Sequence, residues 1–582
     1  MDALAWLTLP LFLGVVVLFS GCAVARPARK LFRVARRFRR VDLVSAGNNP
    51  SSRTSMSPMK SSLRRPALWL LAALVPVAHA DVTLAPLFTD HAVLQRDKPV
   101  PVWGKADAGE NIVVTFKTQT RQTVAGPDGR WVVLLDPLAA DGTGTDLMAA
   151  GKNTLKLHDV VVGEVWLCSG QSNMEFTVSR AQNAPAEITA ANFPLIRHVK
   201  VRNTEADAPA DSVATSGWLP TAPETAGGFT AVGYFFARDI FQKLNVPVGI
   251  VHSSWGGTPV ESWLSPAALA GNPAFKFVNE RWTQNLAEFP AKKAAYDATT
   301  LPAWTTAEAA DRAAAAAKAK ADPKQKADAL HTAWLKKNPR PRAPRGPGDS
   351  RTPTGLFNGM INPLLPFALR GVLWYQGESN ADHASEYHAL FGAMITAWRA
   401  HFGQGDIPFY WVSLANYRVP SDKTDTTYAF LREAQTQTLA LPNTGQALAI
   451  DVGNPDDIHP TNKQEVGRRL ALLARNRIYG LTGDDTGPTF NGVKREGAAL
   501  RADFKHDSGL IAHDRPVQSL EIAGADRKFF PATGRLEHGT LLVSAPEVKE
   551  PVAVRYAWRN SPDANLYNGA GLPAVPFRSD NW

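Results

Sequence analysis

The sequence predicts an α/β protein built on a parallel sheet, with β-rich modules at both ends of the chain. Three observations carry that reading. Five apolar, β-branched runs recur through the middle of the chain, helical patterns separate most of them, and short strand-like runs punctuated by turn residues fill both flanks. A length of 582 residues exceeds what one hydrophobic core supports. A composition of 45% hydrophobic and 20% charged residues excludes a mostly disordered, collagenous or coiled-coil chain.

Residues 1–80 hold twelve Lys/Arg and two Asp/Glu, which accounts for the entire net charge of +10. The rest of the chain is neutral overall, so charge gives it no claim on nucleic acid. Met59-Lys60 with Arg64 and Arg65, the apolar stretch Leu68 to Val77, and Ala78-His79-Ala80 follow the order of a secretory signal peptide over 59–80. Cleavage after Ala80 would start the mature chain at Asp81 and send it to the periplasm or outside the cell. Upstream, Ala3 to Phe19 is about long enough to cross a bilayer, and an Arg-rich stretch to Arg40 follows it. A complete signal peptide has no use inside a chain. Residues 1–58 therefore read as an extension ahead of a start at Met59 or Met56. Past residue 80 no segment is apolar enough to span a membrane, and no stable membrane association is expected. Cys168 is the sole cysteine there, which excludes an intramolecular disulfide and cysteine-based metal frameworks.

The elements follow in order. From 81 to 159, Val100 to Trp103, Ile112 to Phe116, Trp131 to Leu135 and Thr154 to Leu157 are strand-like, separated by turns such as Gly126-Pro127-Asp128-Gly129. The five apolar runs are Val161 to Leu167, Val246 to His252, Leu369 to Tyr375, Pro408 to Leu414 and Gln446 to Val452. Val232, Phe235, Phe236 and Ile240 repeat at helical spacing, as do Tyr387, Leu390, Phe391, Met394 and Trp398, and Val466, Leu470 and Leu473. Such alternation predicts a parallel sheet covered on both faces, in two parts, 160–266 and 351–484. Between them, 267–350 carries an Ala/Lys-rich tract (Ala307 to Lys320) and a Pro/Arg segment (Pro339 to Arg345) with few large apolar residues. That composition predicts a solvated helical insertion. A second β-rich module covers 485–582.

In open parallel sheets, ligands bind beyond the carboxyl ends of the strands. The residues just past the five runs are Ser169-Gly170-Gln171-Ser172-Asn173-Met174, Ser253-Ser254-Trp255-Gly256-Gly257, Gln376-Gly377-Glu378-Ser379-Asn380, Asn416-Tyr417, and Asp451 followed by Asp456-Asp457-Ile458-His459-Pro460. A serine, glycine turns, amides, acids and a histidine thus converge on one edge. They are the parts that acyl transfer requires.

Gly170 to Met174, Trp374-Tyr375-Gln376-Gly377-Glu378-Ser379 and Asp457-Ile458-His459-Pro460 resemble three sequence blocks of the SGNH hydrolases. More narrowly, they resemble the sialate O-acetylesterase-like carbohydrate esterases. Ser253 to Trp263 and Asn565-Leu566-Tyr567-Asn568 fit the same group, and the resemblance covers roughly 81–582. It implies a three-layer α/β/α, flavodoxin-like sandwich with a five-stranded parallel sheet. It further implies an esterase that removes acetyl groups from O-acetylated sialic acid or from plant polysaccharides such as xyloglucan or xylan, without metal or cofactor. Ser172 is then the nucleophile and His459 its base. For the acid, the usual spacing of the superfamily selects Asp456, the related carbohydrate esterases select Asp457, and Asp451 is a third candidate. The oxyanion donors implied are the N–H of Ser172, that of Gly256 or Gly257, and the Gln376 side chain, with Asn380 as a weaker candidate. Glu378 is expected to anchor its loop and Cys168 to be buried in a strand. Two other functions compete: a non-catalytic polysaccharide-binding protein, and a lipase or thioesterase of the same superfamily, which would need a long apolar groove.

Overall fold

A computed structural model describes residues 81–582 apart from Pro323 and Asp514; the proposed extension and signal peptide lie outside the described residues. Six strands of the central sheet run parallel: β1 (Thr154–Gly170), β2 (Phe193–Lys200), β3 (Val248–Ser254), β4 (Gly371–Tyr375), β5 (Phe409–Val412) and β6 (Thr444–Ala447). Their spatial order is β2-β3-β1-β4-β5-β6, with Leu219–Thr221 antiparallel at the β2 edge. In place of the five parallel strands expected, six lie along the central path, and the short strand Val93–Gln95 also pairs in parallel with β1.

The added strand is β2. Its sequence, Phe193-Pro194-Leu195-Ile196-Arg197-His198-Val199-Lys200, hides its burial behind polar residues. Tertiary partners make that burial tolerable. The Arg197 guanidinium donates to the Asp159 carboxylate at 2.9 and 3.1 Å and to the His91 carbonyl at 2.9 Å, and the His198 ring stacks on Phe229 at 4.4 Å.

Side chains from alternate strand positions enter two different cores, as a sheet covered on both faces requires. Trp166, Ile250, Leu373, Tyr375 and Val412 pack against the helices Ala231–Leu244 and Lys463–Arg477. Leu167, Val251, Val372, Trp374 and Trp411 pack against Ala384–Phe402 and Thr427–Gln437. The three-layer arrangement follows from that division.

β1 joins the amino-terminal module to this sheet. Its burial alternates from Thr154 to Asp159 and becomes continuous from Val160 to Gly170. Asp159 has a positive φ of 55° and is held by His91 Nδ1 at 2.7 Å as well as by Arg197. What reads in sequence as two strands, with a module boundary after residue 159, is one strand bent at Asp159. In the amino-terminal module, Asn111–Phe116 pairs antiparallel with Gln119–Val124 and joins β1 through Asp141–Ala150, while Val100–Lys105 and Arg130–Leu135 pair antiparallel in a separate three-stranded sheet. The carboxyl-terminal module holds two antiparallel four-stranded sheets around its own core of Leu500, Val517, Ile522, Leu541 and Tyr556. In 276–337 the helices Lys276–Ala295, Leu301–Ala321 and Ala327–Lys337 bury only Val278, Ala315 and His331. Among the described residues, no helix is long and apolar enough to cross a membrane.

Candidate active site

The motif serine and histidine and the turns after β3 and β4 lie at the carboxyl edge of the sheet, and the turn after β1 sets the geometry. Gly170 closes β1 with a φ of +129°, and a Cβ there would fall 2.2 Å from the Tyr375 carbonyl oxygen of β4. Only glycine tolerates both conditions. The Gln171 N–H donates to that same carbonyl at 2.9 Å, and Ser172 opens the short helix Ser172–Glu175. Its N–H therefore has no intrahelical acceptor and remains a donor at the edge.

His459 sits on the loop after β6, and its Nε2 lies 2.8 Å from Ser172 Oγ. Burial lowers the pKa of His459 below the ordinary histidine value, helped by the charges of Lys463 and Arg180 and opposed by Asp457. A neutral imidazole on a serine hydroxyl is the arrangement of a base on a nucleophile.

The three acids are placed differently. Asp457 accepts the His459 backbone N–H at 2.9 Å, with a carboxylate oxygen 3.8 Å from Nδ1, too long for a hydrogen bond. Asp456 pairs with Arg418, and its side chain is 74% exposed. Asp451 forms a two-pronged pair with Arg469 at 2.6 and 2.8 Å. Of the three, only Asp457 has an oxygen near the imidazole.

The expected oxyanion donors also separate. Gly256 approaches the serine, since a Cβ on it would lie 3.3 Å from Ser172 Cβ, but its N–H already donates to Glu175 at 2.9 Å. Gly257 follows with φ +74°, and its carbonyl accepts from Arg351 Nε at 3.1 Å. The Gln376 amide donates to the Thr258 carbonyl at 3.1 Å and to Asn380 Oδ1 at 2.7 Å, while its oxygen accepts from Tyr387 at 2.9 Å. Both its N–H bonds are thus committed to protein. Asn380 in turn donates to Glu261 at 2.8 Å. Glu378 anchors the loop by accepting from Asn173 at 2.6 Å. Cys168 is buried, which pushes its thiol pKa up and removes it as a nucleophile.

Sequence reasoning assigned no role to Glu175, Arg351, Asn173 or Lys463. Glu175 stands three residues after the serine and Lys463 four after the histidine. That proximity to the motifs is the only signal the sequence offered.

A family described as carbohydrate esterase, sialic acid-specific acetylesterase matches residues 354–475. Sialate O-acetylesterase of Rattus norvegicus is 30% identical over 563 residues, covering 88% of this chain and 96% of that protein. The Homo sapiens protein of the same name is 28% identical over 546 residues, covering 83% of this chain and 90% of its own length. Among solved structures, a carbohydrate acetylesterase from Xanthomonas citri superposes with a TM-score of 0.71 at 38% identity, over 86% of this chain and 100% of that one.

Proposed function

The chain belongs to the sialic acid-specific acetylesterase family of carbohydrate esterases and is a carbohydrate O-acetylesterase, and from that premise we propose that it works through an acetyl-enzyme on Ser172. The observation that carries this reading is the 2.8 Å contact between Ser172 Oγ and His459 Nε2. Ser172 Oγ attacks the acetyl carbonyl as His459 takes its proton, and His459 returns that proton to the departing sugar hydroxyl. Water, deprotonated by the same imidazole, then cleaves the acetyl ester and frees acetate.

The developing oxyanion is held by the N–H of Ser172 and that of Gly257. Gly256 and Gln376 support the turn beside it, since their donors are already in use. Loss of one such donor costs about 10²–10³ in turnover. Asp457 is the orienting acid, reaching Nδ1 by a small rotation when substrate closes the site. This chemistry places no demand on a metal or cofactor. The substrate is an acetylated carbohydrate, either a plant polysaccharide such as xyloglucan or xylan, or O-acetylated sialic acid. The signal peptide supports export, with cleavage after Ala80, and the mature protein should begin at Asp81 on amino-terminal sequencing.

Acid-quenching the enzyme with p-nitrophenyl acetate and mapping the acetyl group tests the mechanism. An acetyl group on the peptide bearing Ser172 is expected, and turnover without it would overturn the proposal. Acetate release from acetylated xyloglucan, acetylated xylan and O-acetyl sialic acid, compared side by side, identifies the sugar.

A further inference from the structure

A buried cation lies behind the Ser172–His459 pair. Lys463 opens the helix Lys463–Arg477 with 0% of its surface exposed. Its Nζ donates to Asn173 Oδ1 at 2.5 Å and sits over the rings of Phe176 and Tyr375, 4.9 and 5.2 Å from their centroids. The Asn173 amide then donates twice, to Glu378 Oε1 at 2.6 Å and to the Ile458 carbonyl at 3.0 Å. Asn173 follows the serine in sequence and Ile458 precedes the histidine. One side-chain amide therefore ties the serine turn, the histidine loop and the turn after β4 together, and Lys463 fixes that amide's orientation.

A buried ammonium is costly to desolvate unless it is paired. Here its carboxylate is reached only through Asn173, and Glu378 Oε2 is buried without a partner. Packing alone would be served by a methionine. We propose that Lys463, acting through Asn173 and the Ile458 carbonyl, is a positioning residue that locks the His459 loop onto the Ser172 turn and keeps a positive charge behind the imidazole.

The charged groups facing Lys463 are Glu378 from the turn after β4, Arg180 from the segment after the serine helix, and Asp457 beside His459. Burial brings the lysine down to about 7, against the pull of Glu378. It is therefore charged on the acid side, where the still lower His459 titrates, and its charge disfavours the imidazolium. The inference rests on the Ser172–His459 mechanism and is tested separately from it.

Lys463→Met should lower kcat/KM by roughly 10–10²-fold through misplacement of the base. It should also move the acid limb of the pH profile to higher pH, because the repelling charge is gone. A purely structural lysine would cost melting temperature and plateau activity with that limb unmoved, and an unmoved limb overturns the proposal. Should Lys463→Met fail to fold, Lys463→Gln carries the same test. It keeps a polar donor toward Asn173 and removes the charge, so the limb must again move up, and a limb that stays is fatal. A Ser172→Ala variant measured alongside separates the two ideas. Its activity would sink the acetyl-enzyme mechanism, whereas an unmoved limb with an inert Ser172→Ala sinks only the role of Lys463.

Discussion

At the amino end of the parallel sheet, Glu164 of β1 is 0% exposed and wedged between two arginines. Arg370 grips it at 2.6 and 3.1 Å, Arg96 closes on the same carboxylate, and Gln95 adds a longer contact at 3.4 Å. At the carboxyl end, Glu378 and Lys463 are separated by the Asn173 amide, and one carboxylate oxygen has no partner. Both ends bury charge, but only the first neutralises it by direct contact. Burial alone would raise the Glu164 pKa, yet Arg370 and Arg96 together hold it below the ordinary glutamate value. Glu378, with no cation in contact, is pushed upward by burial. Direct pairing fixes a carboxylate in one state and leaves it inert. Indirect pairing leaves Glu378 shifted upward by burial and Lys463 lowered to about 7, where protonation can tune a neighbouring base.

Several substitutions test that contrast. Ser172→Ala and His459→Ala should each remove roughly 10³–10⁶ of turnover and reach a comparable floor, because residues acting as one unit are non-additive. Urea unfolding curves should barely move. Retention of a tenth of wild-type turnover by either variant would remove that residue from the mechanism.

Glu164→Ala should show the reverse, a stability loss of about 3–5 kcal/mol as two guanidiniums lose their buried partner and keep only Asp97, at 3.5 and 3.8 Å, with normal turnover per folded molecule. The pH dependence follows from the direction of the shift. A depressed carboxylate contributes stability above its unfolded pKa and loses it as pH falls through the folded value. The stability gap between wild type and Glu164→Ala, read from urea midpoints, should therefore be full near neutrality and narrow at acid pH below the ordinary glutamate range. A gap that does not change with pH would contradict the pairing.

A smaller effect is expected at Asp457, where the imidazole is 3.8 Å away and the carboxylate 58% exposed. Asp457→Asn should cost on the order of 10–10²-fold, well short of the 10⁴ seen for a buried, hydrogen-bonded orienting acid. The smallest belongs to Asp456→Asn, whose exposed pair with Arg418 should leave kcat/KM within about twofold. Initial rates on p-nitrophenyl acetate settle both, and an exchange of their ranks would make Asp456 the orienting acid.

Much of the fold was legible because burial leaves a periodic trace. The run Val161 to Leu167 is apolar apart from Glu164 and lies inside a strand buried on both faces. The repeat Tyr387, Leu390, Phe391, Met394, Trp398 lies on the buried face of one helix. β2 was not legible, because its buried Arg197 and His198 are satisfied by residues distant in sequence, and no local pattern announces such partners. At the site, the motifs give the residue types at the edge but not their hydrogen bonds. Gln376 looks like a free donor until Thr258 and Asn380 occupy it. Neighbouring Asp456 and Asp457 are each favoured by a different motif spacing, and where the loop points them is not written in the sequence.

The seventeen residues of β1 also bear on how such a protein can be inherited. Its first half, Thr154 to Val162, pairs with Asp141–Ala150 of the amino-terminal module, and its last residues pair with β3 and β4 and end two positions before Ser172. A recombination break point anywhere along it would strand half a sheet on each side. The module and the hydrolase behind it should therefore travel through genomes as a single unit. The helical segment 276–337, with few buried side chains, is where added or removed sequence should disturb the core least.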